Sequence, residues 1–232
     1  MNELFPLINK FKEIPGAISV TEAIALHQTI QESLETPSFT RNHLGIEIPI
    51  REIFIDFGSY AGKSSLIAMA ALSDLNKRGN FVMVDPIYNK EENDYPEKIK
   101  TNIIKFVSPF IVPIFVKSTS EEAIKSLSQL KVSYAFIDTG EHSEESLSPE
   151  IKYLEDVIIK GGLIILHDFG NQYIAPKEAA VKLVNTGKFE FIEINWESII
   201  KFVEENKLEE GNISWHMPGM DFPNFIGAIR RK

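Results

Sequence analysis

Residues 53–65 read IFIDFGSYAGKSS, and this stretch decides the predicted fold. Its first three residues form a short apolar run, which ends in Asp56 and a glycine turn. An apolar run bounded by a turn is typical of a strand buried on both faces, as in parallel sheets. Residues 64–75 follow and are rich in good helix formers. The stretch therefore predicts a strand, a tight loop and a helix, the repeating unit of an α/β fold.

The rest of the chain repeats this alternation. Further apolar runs predict strands, and stretches of helix formers predict the helices between them. The pattern predicts an α/β fold with a Rossmann-like, doubly wound, mostly parallel sheet, helices on both faces and a late antiparallel strand. The predicted strands are residues 81–84, 111–116, 132–137, 163–166, 189–194 and 225–229, and the predicted helices are residues 121–130 and 149–159, the latter ended by Gly161-Gly162.

The N-terminal part of the chain follows a different pattern. Ser19 and Glu22 have the spacing of a capping box, and apolar residues at helical spacing follow them. Residues 36–49 contain two prolines and a glycine and predict a loop. We expect residues 1–48 to form a helical segment that packs on the core, because a single short helix is unstable alone. Residues 49–232 are then one Rossmann-like domain.

The composition excludes several classes of protein. The chain has 232 residues, a net charge of −9 and scattered basic residues, which argues against binding to nucleic acid or an anionic membrane. It contains no cysteine, so disulfides and thiolate metal sites are excluded. No apolar stretch approaches the ~20 residues of a membrane span, and the N-terminus lacks the pattern of a signal peptide. We therefore expect a cytoplasmic protein without a membrane partner.

Acidic residues stand at the ends of four predicted strands. They are Asp56, Asp85, Asp138 and Asp168. In open α/β sheets, ligands bind outside the carboxyl ends of the strands. Negative charge gathered at one edge has no structural benefit, so these residues predict a ligand site.

The glycine loop after the first strand allows four interpretations. A P-loop requires four residues between its first glycine and Gly-Lys-Ser, whereas Gly58 and Gly62 bracket three. A dinucleotide fingerprint requires glycine where Tyr60 stands, so that the backbone can approach a pyrophosphate. A tight turn without a ligand is the plain alternative. The fourth is a loop for S-adenosylmethionine, whose ammonium group suits Asp56 and whose ribose hydroxyls suit Asp85.

Four segments resemble those of class I methyltransferases, in particular the cephalosporin-hydroxylase-like and macrocin- or rhamnosyl-type O-methyltransferases. They are IFIDFGSYAGKSSL, MVDP, FIDTGEHSEES and IIKGGLIILHDF. The resemblance implies that the chain binds S-adenosylmethionine along the strand ends. The implied cofactor-binding residues are Asp56, Gly58, Ser59, Tyr60, Gly62, Ser64, Asp85, Ser118, Thr119 and Asp138.

A second group of candidate residues follows the fourth and fifth predicted strands. The resemblance implies that Asp138, His167 and Asp168 hold a divalent cation, either Mg²⁺ or, since a histidine is present, Mn²⁺. Alternatively, His142 or His167 is a general base that deprotonates a hydroxyl, because an imidazole titrates near neutrality. The plain alternatives are that Asp168 caps a turn and that His142 lies on the surface.

These features together predict an S-adenosylmethionine-dependent methyltransferase that acts on a hydroxyl of a small-molecule acceptor such as a sugar. Two alternatives stay open: a non-catalytic protein that keeps the cofactor cavity, and a nicotinamide-dependent oxidoreductase, which Tyr60 disfavours. Ser120 is expected to cap the helix that follows it, and Trp215, His216 and Met217 are expected near the substrate entrance. The sequence leaves the acceptor and a homodimer open.

Overall fold

The computed structural model describes residues 4–16, 18–34, 39–41, 43–89, 95–103, 105–139, 143–170, 173–208 and 226–232. Its strands are β1 Phe39–Arg41, β2 Glu47–Pro49, β3 Glu52–Phe57, β4 Gly79–Val84, β5 Ile111–Val116, β6 Val132–Ile137, β7 Ile158–His167, β8 Phe189–Ile192 and β9 Ile226–Arg231. Within the described residues, seven strands form one sheet in the order β5-β4-β3-β6-β7-β9-β8. Strands β3 to β7 are parallel, and β9 is antiparallel to both of its neighbours.

Helices cover both faces of this sheet. They are α1 Leu4–Lys12, α2 Val20–Ser33, α3 Lys63–Asp74, α4 Tyr95–Ile103, α5 Ser120–Leu127, α6 Glu144–Val157, α7 Ile174–Asn185 and α8 Trp196–Glu205, with a 3₁₀ turn at Pro86–Asn89. Buried residues of α1 to α4 and α8 share one apolar cluster, and those of α5 to α7 share the other. The predicted doubly wound α/β architecture with a late antiparallel strand is confirmed.

Alternation along the strands explains the two clusters. On β6, Tyr134 and Phe136 belong to one cluster, whereas Ala135 and Ile137 belong to the other. All six residues of this strand are buried. A central parallel strand covered on both faces is mostly apolar, and the polar Ser133 is accommodated because its hydroxyl donates to the carbonyl oxygen of Ile53 at 3.2 Å.

Several predicted element boundaries differ from the structure, most clearly where α6 ends and β7 begins. Helix α6 begins at a capping box between Ser143 and Ser146 and ends at Val157, not at the glycine pair. Gly161 and Gly162 lie inside β7, where the pairing with β6 is irregular and Gly161 has a φ of +76°. Glycine favours this left-handed conformation, so the pair accommodates an irregular strand rather than a helix end.

The predicted loop at residues 36–49 is also only partly correct. Strands β1 and β2 form an antiparallel pair, with Phe39 opposite Pro49 and Arg41 opposite Glu47. Residues 43–46, which lie between the two strands, and Glu47, the first residue of β2, are exposed. Each strand has only three residues, which is too short for an alternation of apolar and polar residues to be recognised, and the sequence pattern therefore missed the hairpin.

The N-terminal helices pack on the sheet. Leu7, Ile8 and Phe11 of α1 lie in the same apolar cluster as Leu66 and Ile67 of α3. The predicted capping box of α2 is present, with Ser19 as the N-cap and Glu22 as its partner. A boundary between an N-terminal segment and the domain at residues 48 and 49 stays a prediction.

Candidate functional site

A cavity of about 700 Å³ opens at the carboxyl ends of β3, β4, β5 and β6. In the plane of the sheet, β4 and β5 lie on one side of β3, whereas β6 and β7, which come later in the chain, lie on its other side. The gap between β3 and β6 is therefore the switch point at which α/β sheets bind ligands. The lining residues are Pro15, Gly16, Ile18, Gly58, Ser59, Tyr60, Ala61, Lys63, Ser64, Val84, Asp85, Pro86, Thr119, Ser120, Glu121, Asp138, Thr139, Glu145, Ser146, Pro149 and Glu150.

Most of the predicted cofactor-binding residues line this cavity. The lining ones are Gly58, Ser59, Tyr60, Ser64, Asp85, Thr119 and Asp138, and the others are Asp56, Gly62 and Ser118. Thr119, and not Ser120 as expected, is the N-cap of α5, because its side chain accepts from the backbone N–H of Glu122.

Two backbone N–H groups hold the carboxylate of Asp85, one at each oxygen. Its Oδ2 accepts the N–H of Tyr60 at 2.8 Å, and its Oδ1 accepts the N–H of Ile87 at 2.8 Å. Each carboxylate oxygen has a second lone pair for another donor. Asp85 therefore presents two oriented acceptors to the cavity, which suits a vicinal diol such as a ribose.

The loop after β3 packs closely against its neighbours at two glycines. Gly58 has a φ of +83°, and a Cβ there would lie 2.0 Å from the carbonyl oxygen of Asp138. A Cβ on Gly62 would lie 2.7 Å from Ile99 of α4. The missing side chains thus make room for protein neighbours, although Gly58 and Gly62 were both predicted to bind the cofactor. Tyr60 has a φ of +42°, a conformation unusual for a bulky residue and common at binding sites.

Asp56 lies beneath the loop and not in the cavity wall. It is fully buried, and its Oδ2 accepts the hydroxyls of Ser64, at 2.8 Å, and Ser65. Burial raises the pKa of Asp56 to about 7, although both serine hydrogen bonds oppose the rise. Among the described residues, none donates a hydrogen bond to its Oδ1. The position suits a residue that fastens the first turn of α3 to β3, rather than one that contacts a ligand.

A second cluster joins the ends of β6 and β7. Asp138, His167 and Asp168 bring one ligand atom each to within 4.8 Å of one another. His167 Nδ1 lies 3.2 Å from Asp138 Oδ1 and 3.2 Å from Asp168 Oδ2, although neither contact has hydrogen-bond geometry. The cluster joins the cavity through Asp138, which belongs to both.

The other nitrogen of His167 faces the N-terminal segment. Nε2 lies 3.1 Å from Oε1 of Glu22, and both side chains are almost fully buried. Burial by itself would lower the pKa of His167, but the carboxylates of Asp138, Asp168 and Glu22 beside the ring reverse this and raise the pKa well above its usual value. Three carboxylates around one imidazole form a site that strongly favours a positive charge.

The last strand supports this cluster from the side. Asp168 has a φ of +53°, and the next residue, Phe169, packs on Gly227 of β9, where a Cβ would lie 2.3 Å from its ring. Phe169 also contacts Phe191 of β8 edge-on. Aspartate is one of the few non-glycine residues that adopt this left-handed conformation readily, and the packing of Phe169 holds the chain in place beside it.

Sequence reasoning missed the contribution of the N-terminal segment. Gly16 and Ile18 line the cavity, and Lys63 Nζ donates to the carbonyl oxygen of Gly16 at 3.2 Å. These contacts join residues far apart in the chain, and no local pattern indicates them. Two predictions concern residues outside the described ranges: His142 as a base, and residues 215–217 near the substrate entrance.

Comparisons with known proteins agree with this geometry. The family model described as a methyltransferase domain matches residues 55–169. Among curated proteins, none matches the chain by sequence. The structure is similar to SMU.1697c of Streptococcus mutans in complex with SAH, with a TM-score of 0.52, 11% identity, and 93% of this chain and 100% of that chain covered.

Two further solved structures are similar at lower scores. SAH-bound PaMTH1 of Podospora anserina has a TM-score of 0.49 and 13% identity, with 100% of this chain and 88% of that chain covered. CalS11, a TDP-rhamnose 3'-O-methyltransferase of calicheamicin biosynthesis, has a TM-score of 0.49 and 12% identity, with 90% and 76% covered.

A doubly wound sheet of this order, with its cavity at the switch point, defines a Rossmann-like ligand-binding domain. The family match assigns residues 55–169 to the methyltransferase-domain family, and with this fold it supports a class I, S-adenosylmethionine-dependent methyltransferase. Within the described part of the chain, no helix has both the length and the apolar character needed to cross a bilayer.

Proposed function

We propose that this protein transfers a methyl group from S-adenosylmethionine to a hydroxyl of a small-molecule acceptor, with help from a divalent cation. The observation that carries the proposal is the position of Asp138. This residue lines the cofactor cavity and also faces His167 and Asp168 in the cluster beside it. A cofactor site and a candidate cation site thus share one carboxylate, so an acceptor oxygen held at the cluster would lie next to the cofactor.

The cavity fits the cofactor. Its volume of about 700 Å³ is in the usual range for small-molecule sites. Asp85 would accept both ribose hydroxyls, and Gly58 to Tyr60 would pass beside the methionine part, with Thr119 nearer the base. S-adenosylmethionine supplies an electrophilic methyl group, and the bonding electron pair stays on sulfur when that methyl leaves.

The cluster also fits a divalent cation. His167 Nδ1 is buried without a hydrogen bond to any described residue, and two carboxylate oxygens lie 3.2 Å from it. One nitrogen and two oxygens suit Mn²⁺ better than Mg²⁺, which prefers oxygen ligands alone. A cation there would supply Lewis acidity that makes a hydroxyl easier to deprotonate.

We assign His167 to the cation site and not to proton transfer. Its side chain is 5% exposed, and Glu22 occupies Nε2. The acceptor hydroxyl gives its proton to a base, its oxygen forms a bond to the methyl carbon, and the carbon–sulfur bond breaks. Asp138 and Asp168 would position the acceptor oxygen in line with the carbon–sulfur bond of the cofactor. A sugar hydroxyl is one such acceptor, as the name of CalS11 states for that enzyme.

The test is methyl transfer to a panel of sugars and phenols, with and without a chelator. Asp138→Asn and Asp168→Asn should each reduce the rate by at least about tenfold, because an amide holds a cation poorly. Asparagine tolerates the left-handed backbone of Asp168, so folding should survive. Asp156→Asn, on an exposed position of α6, is the matched control. Activity that resists chelation would refute the cation, and activity that survives both substitutions would refute the site.

A further inference from the structure

We propose that Glu22 of α2 is a positioning residue for the methyl-transfer site: it holds the His167 ring so that Nδ1 faces Asp138 and Asp168. The inference deepens the proposed function and rests on it where it concerns the cation. It assigns an active-site role to the N-terminal segment, which lies outside the residues that match the methyltransferase family.

The geometry fixes which nitrogen carries the hydrogen. Glu22 Oε1 lies 3.1 Å from His167 Nε2, and Glu22 is only 3% exposed. A carboxylate only accepts hydrogen bonds, so the hydrogen must be on Nε2. Nδ1 faces the two aspartates. Without a cation, the three carboxylates favour the charged ring, which carries a hydrogen on both nitrogens. A bound cation would replace the hydrogen on Nδ1 and meet a lone pair there, while the hydrogen on Nε2 stays with Glu22. A carboxylate behind a histidine is the usual device that orients a metal-ligating ring.

Glu22 is itself held in place. Its Oε2 accepts the backbone N–H of Ser19 at 2.8 Å, while Ser19 Oγ accepts the N–H of Glu22 at 3.2 Å. The capping box therefore uses one carboxylate oxygen and leaves the other for His167. An ordinary capping glutamate lies at the surface, where water solvates its second oxygen. A buried one costs free energy unless it is paired, and here the partner is the imidazole.

The same segment forms the wall of the cofactor cavity. Gly16 and Ile18 line the cavity just before Ser19, and Glu22 reaches the cluster one helical turn later. Docking of residues 15–22 thus completes both sites. This arrangement explains why a helix outside the sheet carries a buried acid aimed at a strand end 145 residues away.

The experiment compares four full-length proteins: wild type, Glu22→Gln, Ser19→Ala and Glu32→Gln. Ser19→Ala removes the side-chain cap but keeps the Glu22 carboxylate, and Glu32→Gln changes an exposed acid on the same helix. Mn²⁺ affinity is measured by electron paramagnetic resonance without acceptor, and SAH affinity by calorimetry. Glu22→Gln should weaken Mn²⁺ binding about tenfold or more and change SAH binding less than threefold. Both controls should bind Mn²⁺ within threefold of wild type.

A second readout does not depend on the cation. The ¹⁵N chemical shifts of the His167 ring report which nitrogen is protonated, and the chain has only 5 histidines to assign. Glu22→Gln should shift these signals, and Ser19→Ala should not. If wild type binds no Mn²⁺ but the ring signals depend on Glu22, the cation fails and the positioning role stands. If Mn²⁺ binds and Glu22→Gln changes neither readout, the positioning role is refuted and the proposed function stands.

Discussion

The backbone N–H of Tyr60 donates to Oδ2 of Asp85 at 2.8 Å, so the loop after β3 and the acid after β4 are one structural unit. This bond holds Tyr60 in its left-handed conformation and orients the carboxylate toward the cavity. The loop is therefore ordered without a ligand, so the ordering cost of binding a ligand there is small.

We predict that Asp85→Ala weakens SAH binding by about 1–3 kcal/mol, the usual loss for a charged hydrogen-bond partner. The SAH affinity of Asp85→Asn should lie between those of wild type and Asp85→Ala, because an amide keeps one acceptor oxygen. Calorimetric titration measures both, with Asp156→Asn as the control. Affinity equal to wild type in Asp85→Ala would remove this residue from the site.

Gly58→Ala should reduce both stability and SAH affinity. The new Cβ would lie 2.0 Å from the carbonyl oxygen of Asp138, and the left-handed backbone adds strain. Gly187→Ala is the matched control, since Gly187 also has a positive φ, of +76°, but its Cβ would meet nothing within 4 Å. We expect Gly187→Ala to lose about 1 kcal/mol from the backbone alone, with unchanged SAH affinity. Equal losses in the two variants, measured by urea denaturation, would contradict the close approach.

The stability of the protein should depend on pH through Asp56. Its pKa is raised from 3.8 to about 7, so between these values the folded protein keeps a proton that the unfolded chain releases. The free energy of unfolding therefore falls as the pH rises from about 4 to about 7. Asp56→Asn cannot ionise and should gain stability relative to wild type across this window.

The size of this gain follows from the pKa change. About three pKa units correspond to on the order of 4 kcal/mol, an upper bound for a fully buried group. Urea denaturation of both proteins between pH 4.5 and pH 8 gives the difference, in which the other titrating groups cancel. A difference that stays constant over this range would show that Asp56 is ionised throughout.

We predict that cleavage near residues 36–49 inactivates the protein. Residues 43–47 are exposed and accessible to a protease, but α1 and α2 on their N-terminal side share the core with α3. They also bring Gly16, Ile18 and Glu22 to the site. Limited proteolysis followed by SAH calorimetry and circular dichroism tests this. A released core that is folded and fully active would contradict it.

Several elements of the fold could be predicted from residues alone. Strands β5 and β6 lie where the apolar runs predicted them, and the capping box at Ser19 starts α2 as expected. These features are local, because a short run of mostly apolar residues is enough to indicate a strand, and a cap needs only residues three apart. The hairpin at β1 and β2 was missed because its strands have only three residues each. The end of α6 was missed because a glycine pair occurs in an irregular strand as well as at a helix terminus.

The sequence by itself determined the class of fold, the acidic edge of the sheet and the methyltransferase family, because each is carried by short segments with recognisable patterns. Only the tertiary structure decided which residues meet. It withdrew Asp56 from the cavity into the core, placed the carbonyl of Asp138 against Gly58, and brought Glu22 to His167. Such contacts depend on the order of strands in the sheet and on how the N-terminal helices dock. That order is set by packing over the whole chain, which no local periodicity encodes.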